Sequence, residues 1–279
     1  HPWSLDHFAL QVSEGAEVDE LLQKLEPLEK EAKAFTLFDH AHSRLDGEAK
    51  ELLLRASIFE EAVPEEALRW MMGDEKTPSP PIVRALRELL RLGLAARQEE
   101  REIRLYSVHT LVRQFAQGEA KDKGRDLRPF LIRAAQHYEM QVKVNRNLWD
   151  LLRARDYYYR AEEYERAAGI VTAAWQYLAR WGYIELAMSL LQQSANTTLG
   201  GTKAIAAGNL ATLYHELGDW KTALRLYSDV KEIFEELGDR KNVATVLHQL
   251  GIVHEHQGNY PEAVKLYQQS LEIKKDLGD

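Results

Sequence analysis

The chain has 279 residues, 36 Lys and Arg against 44 Asp and Glu, a formal net charge of −8 and no cysteine. That length supports two or more domains with cores of their own, and abundant Leu, Ala and Glu with few Gly and Pro favour a mainly α class. The lack of cysteine excludes disulfides, thiolate metal sites and a thiol nucleophile and fits a cytoplasmic address, while the acidic balance argues against a dedicated nucleic-acid binder.

No apolar run approaches the roughly 18 residues of a membrane-spanning helix, so no membrane association is expected. The sequence opens at His1-Pro2 without an initiator Met or signal peptide and stops at Leu277-Gly278-Asp279, where a further repeat could follow. It reads as a piece of a longer protein.

Residues 3–33 read as acid-rich helices, with Leu21, Leu22, Leu25 and Leu28 at helical spacing. The character changes over 47–118. Leu52, Leu53, Leu54, Ala56 and Ile58 fall in one apolar helix. Pro64 then opens a second helix with Glu65 and Glu66 in its first turn, where the helix dipole favours acids. The stretch Gly73 to Pro78 is a loop. Ser79 caps a third helix, with Pro80 and Pro81 at its start and an end near Gly93. This third helix carries Arg84, Arg87 and Arg91 on one face, opposite Val83, Leu86 and Leu90.

Leu94 to Arg97 and Ile103 to Tyr106 flank a polar five-residue stretch, a short two-stranded hairpin, and a helix follows over 108–116. Three helices, a two-stranded wing and a closing helix describe a winged-helix domain.

Gly118 to Leu127 is polar and reads as a linker or exposed turn. From Phe130 onward the chain is helix after helix, with breaks at 161–164, 180–183 and 196–202. Residues 208–238 and 248–278 align without a gap at a period of forty. Gly218 meets Gly258, Trp220 meets Tyr260, Ala223 meets Ala263, Tyr227 meets Tyr267 and Gly238 meets Gly278. Such a period marks a solenoid whose units bury their apolar faces against neighbours. Gly182 followed by Ala187 is a degenerate third copy.

The periodic aromatics read as core packing. The polar or small residues on the first helix of each pair are the ligand-facing candidates. They are Asn209, Thr212, His215 and Glu216, then Thr245, His248, Gln249, Ile252 and His256. His248 and His256 read as a solvated helix face, because no third ligand is fixed nearby by spacing; no metal site is expected.

Ala211/Gly251, the Gly-x-aromatic turns Gly218-Asp219-Trp220 and Gly258-Asn259-Tyr260, and the pairs Ala223-Tyr227 and Ala263-Tyr267 resemble the tetratricopeptide repeat. The closing proline of that family is absent and the unit is longer than usual. This form is common in repeat arrays attached to signalling ATPases.

His1-Pro2-Trp3-Ser4-Leu5 is similar to the tail of the Gly-x-Pro motif of NB-ARC and related STAND ATPases. Tyr106 to Ala116 is similar to the segment closing that family's winged helix, where apolar-His-Asp-Leu sets the His against the β-phosphate of ADP. The matching residues are Pro2 and His109; Thr110 stands where the family has Asp.

The resemblance implies a mainly α fold, a winged-helix domain with a small β-hairpin followed by an α-solenoid. The expected domains are 1–46, a helical segment ending the nucleotide-binding module; 47–120, the winged helix; 121–199, a helical linker with degenerate repeats; and 200–279, the repeats. It also implies a role. The winged helix restrains an ADP-bound state and the array binds a protein or peptide trigger, controlling self-oligomerisation.

ADP or ATP with Mg is expected for the full-length protein, held by an upstream domain, and no cofactor for these 279 residues. No phosphate loop, His-Glu-x-x-His helix or Gly-x-Ser-x-Gly elbow occurs, so no catalytic residue is expected and the chain is not read as an enzyme by itself. The rival reading is a DNA-binding winged-helix regulator with a repeat sensor, resting on Arg84, Arg87 and Arg91.

Overall fold

The computed structural model describes residues 30–73, 82–100 and 102–278. Among them are thirteen helices and a three-stranded antiparallel sheet. The chain divides into two units, residues 1–137 and 138–279. The helices read over 3–29, the loop to Pro78 and the Ser79 cap lie outside the described residues, as does Pro2.

The first unit contains α1 (Lys30–Ser43), α2 (Gly47–Ala56), β1 (Val63–Pro64), α3 (Glu65–Met72), α4 (Val83–Arg91), β2 (Ala96–Glu100), β3 (Ile103–Ser107) and α5 (Thr110–Asp122). The first part of α6 (Arg128–Asn145) also belongs to it. Asp46 caps α2 by accepting from the Ala49 N–H at 2.8 Å, satisfying one of the donors a helix start leaves open. The helix then buries Ala49, Leu52, Leu53, Leu54 and Ala56. In α4 the buried face is Ala85, Leu86 and Leu89. Val83, expected on the apolar side, is 48% exposed, because Leu89 and Ile82 take the inward positions.

Helix, strand, two helices and two strands follow in the order of a winged helix, with β2–β3 as the wing. The sheet order is β1-β3-β2, with Val63 opposite Tyr106 and Arg97 opposite Tyr106 on the other side. The third strand corrects the two-stranded expectation. Two residues are too few to show alternation, and Pro64 sits in extended backbone as the cap of α3 rather than inside it. The expected linker from Gly118 is also corrected, since α5 runs to Asp122. Gly118 costs the helix about 1 kcal/mol relative to Ala. Tertiary contacts offset that: Gln117 donates to the Ser57 carbonyl at 2.7 Å, Glu119 meets His42 at 3.2 Å, and Ala116 and Ala120 are buried.

The second unit takes the rest of α6 and then α7 (Leu148–Arg160), α8 (Tyr164–Arg180), α9 (Ile184–Thr197), α10 (Gly200–Glu216), α11 (Trp220–Glu236), α12 (Arg240–His256) and α13 (Tyr260–Leu277). The breaks fall where the sequence places them. Gly218 has φ 83° and Gly258 φ 76°, left-handed values that end a helix at little steric cost. The following N–H reaches back five residues, Asp219 to Tyr214 and Asn259 to His254, each at 2.9 Å. Gly182 (φ 85°) closes α8 the same way, with Tyr183 N–H on the Leu178 carbonyl at 2.8 Å. The degenerate copy thus has the turn of the regular ones.

Ala223, Ala263 and Ala187 are buried at the helix seams, as is Tyr227. Trp220 and Tyr260 depart from the core-packing expectation, at 37% and 64% exposed. Each is the first residue of its helix, so its side chain leans back over the turn toward water instead of across the seam. Gly251 lies against the ring of Tyr267, where an added Cβ would stand 2.5 Å from a ring carbon. Among the described residues no helix is long and apolar enough to cross a membrane.

Candidate functional site

His109 is exposed and caps α5, its Nδ1 accepting from the Leu111 N–H at 3.3 Å. Using Nδ1 as acceptor places the proton of the neutral ring on Nε2, a tautomer assigned from this bond. The ring therefore combines a donor with the positive end of a helix dipole, a combination suited to an anion such as a phosphate oxygen. Thr110, where the family pattern has Asp, accepts from Arg113 Nη2 at 3.3 Å, and Arg113 Nη1 donates to the Phe59 carbonyl at 3.1 Å. A hydroxyl here leaves the guanidinium without a carboxylate at this position.

Arg84, Arg87 and Arg91 are all exposed on α4. Arg84 is engaged by Asp46 at 3.3 Å and by Glu88 at 3.8 Å. The β2 strand of the wing is exposed throughout and carries Glu99 and Glu100.

In the repeat unit, the first helices of consecutive pairs present the polar candidates. Thr212 is already engaged: its hydroxyl lies 3.1 Å from the Gly208 carbonyl and 2.8 Å from the Tyr227 hydroxyl. Its counterpart forty residues on is Ile252, half-buried, so Tyr267 turns its hydroxyl to Glu255 instead, donating at 2.6 Å. Burial, then the Glu255 carboxylate, push the Tyr267 phenol up to about 12. Asn209 is half-buried, and its Nδ2 is buried with no hydrogen-bond partner. Thr245 is exposed and bonds the Lys241 carbonyl at 3.2 Å, Gln249 is half-buried, and Glu216 is exposed. His248 lies over Tyr267, with ring centroids 5.2 Å apart.

The structure brings two of these candidates together. His215 Nε2 and His256 Nδ1 are 2.8 Å apart, joining α10 to α12. Their centroids are 4.9 Å apart at an interplanar angle of 20°, little more than the hydrogen bond plus two ring radii. The rings thus meet nitrogen to nitrogen, nearly in one plane. Partial burial, then the neighbouring His256, hold His215 below its ordinary value of 6.5, with Glu216 opposing. Among the described residues no group of three His, Asp or Glu is placed to hold a metal ion.

Sequence reasoning missed a cleft of about 360 Å³ lined by Trp175, Ala179 and Arg180 of α8 and by Leu213, Glu216 and Leu217 of α10. A frame counted from the turn glycines would have found it, since the residues that close the next step of the array have no match here.

Residues 202–276 match the tetratricopeptide repeat family model. This stretch is a tetratricopeptide repeat region. No curated protein matches the chain. Among solved structures it is similar to a Signal Transduction ATPase with Numerous Domains (STAND) protein with a tetratricopeptide repeat sensor from Pyrococcus horikoshii. There the identity is 20%, over 88% of this chain and 47% of that one, with a TM-score of 0.41. The chain thus spans about half the length of that relative. It is also similar to MamA (19% identity, 57% of this chain, 95% of that one, TM-score 0.36). BtubC from P. vanneervenii shares 15% identity over 53% of this chain and 72% of that one, with a TM-score of 0.38.

Proposed function

We propose that the chain is the regulatory and sensor portion of a STAND-type signalling ATPase. In this reading the winged helix restrains an ADP-bound state through His109, with Pro2 on the nucleotide side. The tetratricopeptide repeats bind a protein or peptide trigger that releases the restraint and permits self-oligomerisation. ADP or ATP with Mg belongs to the upstream nucleotide-binding domain of the full-length protein.

The observation that carries the reading is the placement of His109, an exposed imidazole with its proton on Nε2 at the N-terminus of α5. The sequence motifs place a phosphate opposite this residue, and the local geometry has the donor and dipole that such a contact needs. His109→Ala in the full-length protein is expected to shorten ADP retention by about tenfold, the loss of one charge-assisted hydrogen bond, and to favour the assembled state. Nucleotide release from purified protein, followed with a fluorescent ADP analogue, and sedimentation measure both. A variant that holds ADP like wild type and stays monomeric defeats the assignment.

The exposed arginines of α4 favour a second reading, a winged helix on DNA. The engagement of Arg84 by Asp46 and Glu88 and the acidic wing count against it.

A further inference from the structure

We infer that the cleft between α8 and α10 is a docking site for an extended peptide. One large apolar side chain of the peptide fills the cleft, and an acidic and a basic neighbour in the same peptide meet Arg180 and Glu216. The inference rests on the partner-binding reading above and gives it a place and a chemistry.

The repeat frame shows why this cleft is open. Counted back from the turn glycines Gly182, Gly218 and Gly258, the third residues are Ala179, His215 and Glu255, and the second are Arg180, Glu216 and His256. At the α10–α12 step, the third residue of one helix meets the second of the next, and the two imidazoles close it with a 2.8 Å hydrogen bond. The same step between α8 and α10 sets Ala179 against Glu216, both on the cleft wall. A methyl group cannot bridge to a carboxylate there. The bond that ties the next pair of helices is missing, and about 360 Å³ stands in its place.

What lines that space decides what it takes. Trp175 and Leu213 are buried beneath it, Ile184 is half-buried, and Leu217 stands 52% exposed at its edge. An apolar side chain gains by covering such a surface. The exposed charges on the two walls are Arg180 on α8 and Glu216 on α10, and neither forms an ion pair with a Lys, Arg, Asp or Glu among the described residues. Opposite charges on opposite walls suit a peptide carrying both signs. A nucleic acid would meet Glu216 unfavourably, and an acyl chain would leave both charges unmet.

The test uses the whole 279-residue chain and fluorescein-labelled nonapeptides with a central Glu-X-Lys or Lys-X-Glu, X being Trp, Leu or Ala, read by fluorescence anisotropy. One charge order with X as Trp or Leu is expected to bind at least about tenfold tighter than its Ala version, the scale of one buried apolar side chain. Ala179→His restores a partner for Glu216 and closes the cleft. It is expected to weaken that peptide about tenfold or more while the melting temperature holds or rises. Glu216→Arg should shift preference to a Glu-X-Glu peptide.

If neither order prefers a large X, or if Ala179→His leaves affinity unchanged, the cleft is not a docking site. Those results are independent of the ADP-release measurement on His109, so a failure here is distinguishable from a failure of the switch reading.

Discussion

The hydrogen bond between His215 and His256 needs one ring to donate and the other to accept, so it survives none or one added proton on the pair but not two. His215 is already held below 6.5 by burial and by its neighbour, so the unfolded chain binds more protons than the folded one just under that value. The contribution of the pair to stability is therefore present above 6.5 and is lost as pH falls through the lowered value. Between about pH 7.5 and 5.5 the melting temperature of the chain should drop further than that of His256→Ala, which has no pair to break. Parallel melting curves over that range would show that the rings are not coupled. His42, also lowered chiefly by burial, is the same in both proteins and cancels from the comparison.

At the level of the helix pair, the two copies solve one packing problem differently. The first sets Ala211 on α10 and ties Tyr227 to Thr212, while the second sets Gly251 on α12 and ties Tyr267 to Glu255. Glycine inside a helix costs about 1 kcal/mol relative to alanine. Its presence at 251 follows from the ring of Tyr267, 2.5 Å from where a Cβ would stand.

Gly251→Ala should therefore destabilise the chain by a net ~1–2 kcal/mol, because overpacking of ~1–3 kcal/mol exceeds the gain in helix propensity. In a Tyr267→Ala background the clash is gone, and the same substitution should stabilise by about 1 kcal/mol. Urea denaturation of the four proteins measures both signs. A Gly251→Ala that stabilises the otherwise unchanged chain refutes the close-approach account. The turn glycines and seam alanines that frame these pairs were legible in the sequence through their spacing. The outward direction of Trp220 and Tyr260 was not, because a repeated aromatic looks the same whether it faces a seam or water.

For the molecule as a whole, the net charge of −8 sets the long-range field, and the basic stripe on α4 works against it only locally. A labelled duplex titrated at about 0.05 and 0.2 M salt should show no tight complex and no steep salt dependence. A complex that weakens by orders of magnitude between the two salts would favour the DNA-binding reading over the nucleotide switch.

Periodicity and punctuation by themselves determined the mainly α class, the helix breaks of the second unit, the hairpin wing and the repeat register. These are properties of local backbone preference and of which face of a helix is apolar. Tertiary structure decided what depends on residues far apart in sequence. Val63–Pro64 becomes a strand only because Tyr106 and Leu105 are there to pair with it, and α5 outlasts Gly118 because Ser57 and His42 receive it. The candidate site divides along the same line. Polar residues on the first helices could be picked from their spacing. That His215 reaches His256 across 41 residues, while Ala179 leaves Glu216 facing an open cleft, depends on side-chain length at a seam, and only the packed helices reveal it.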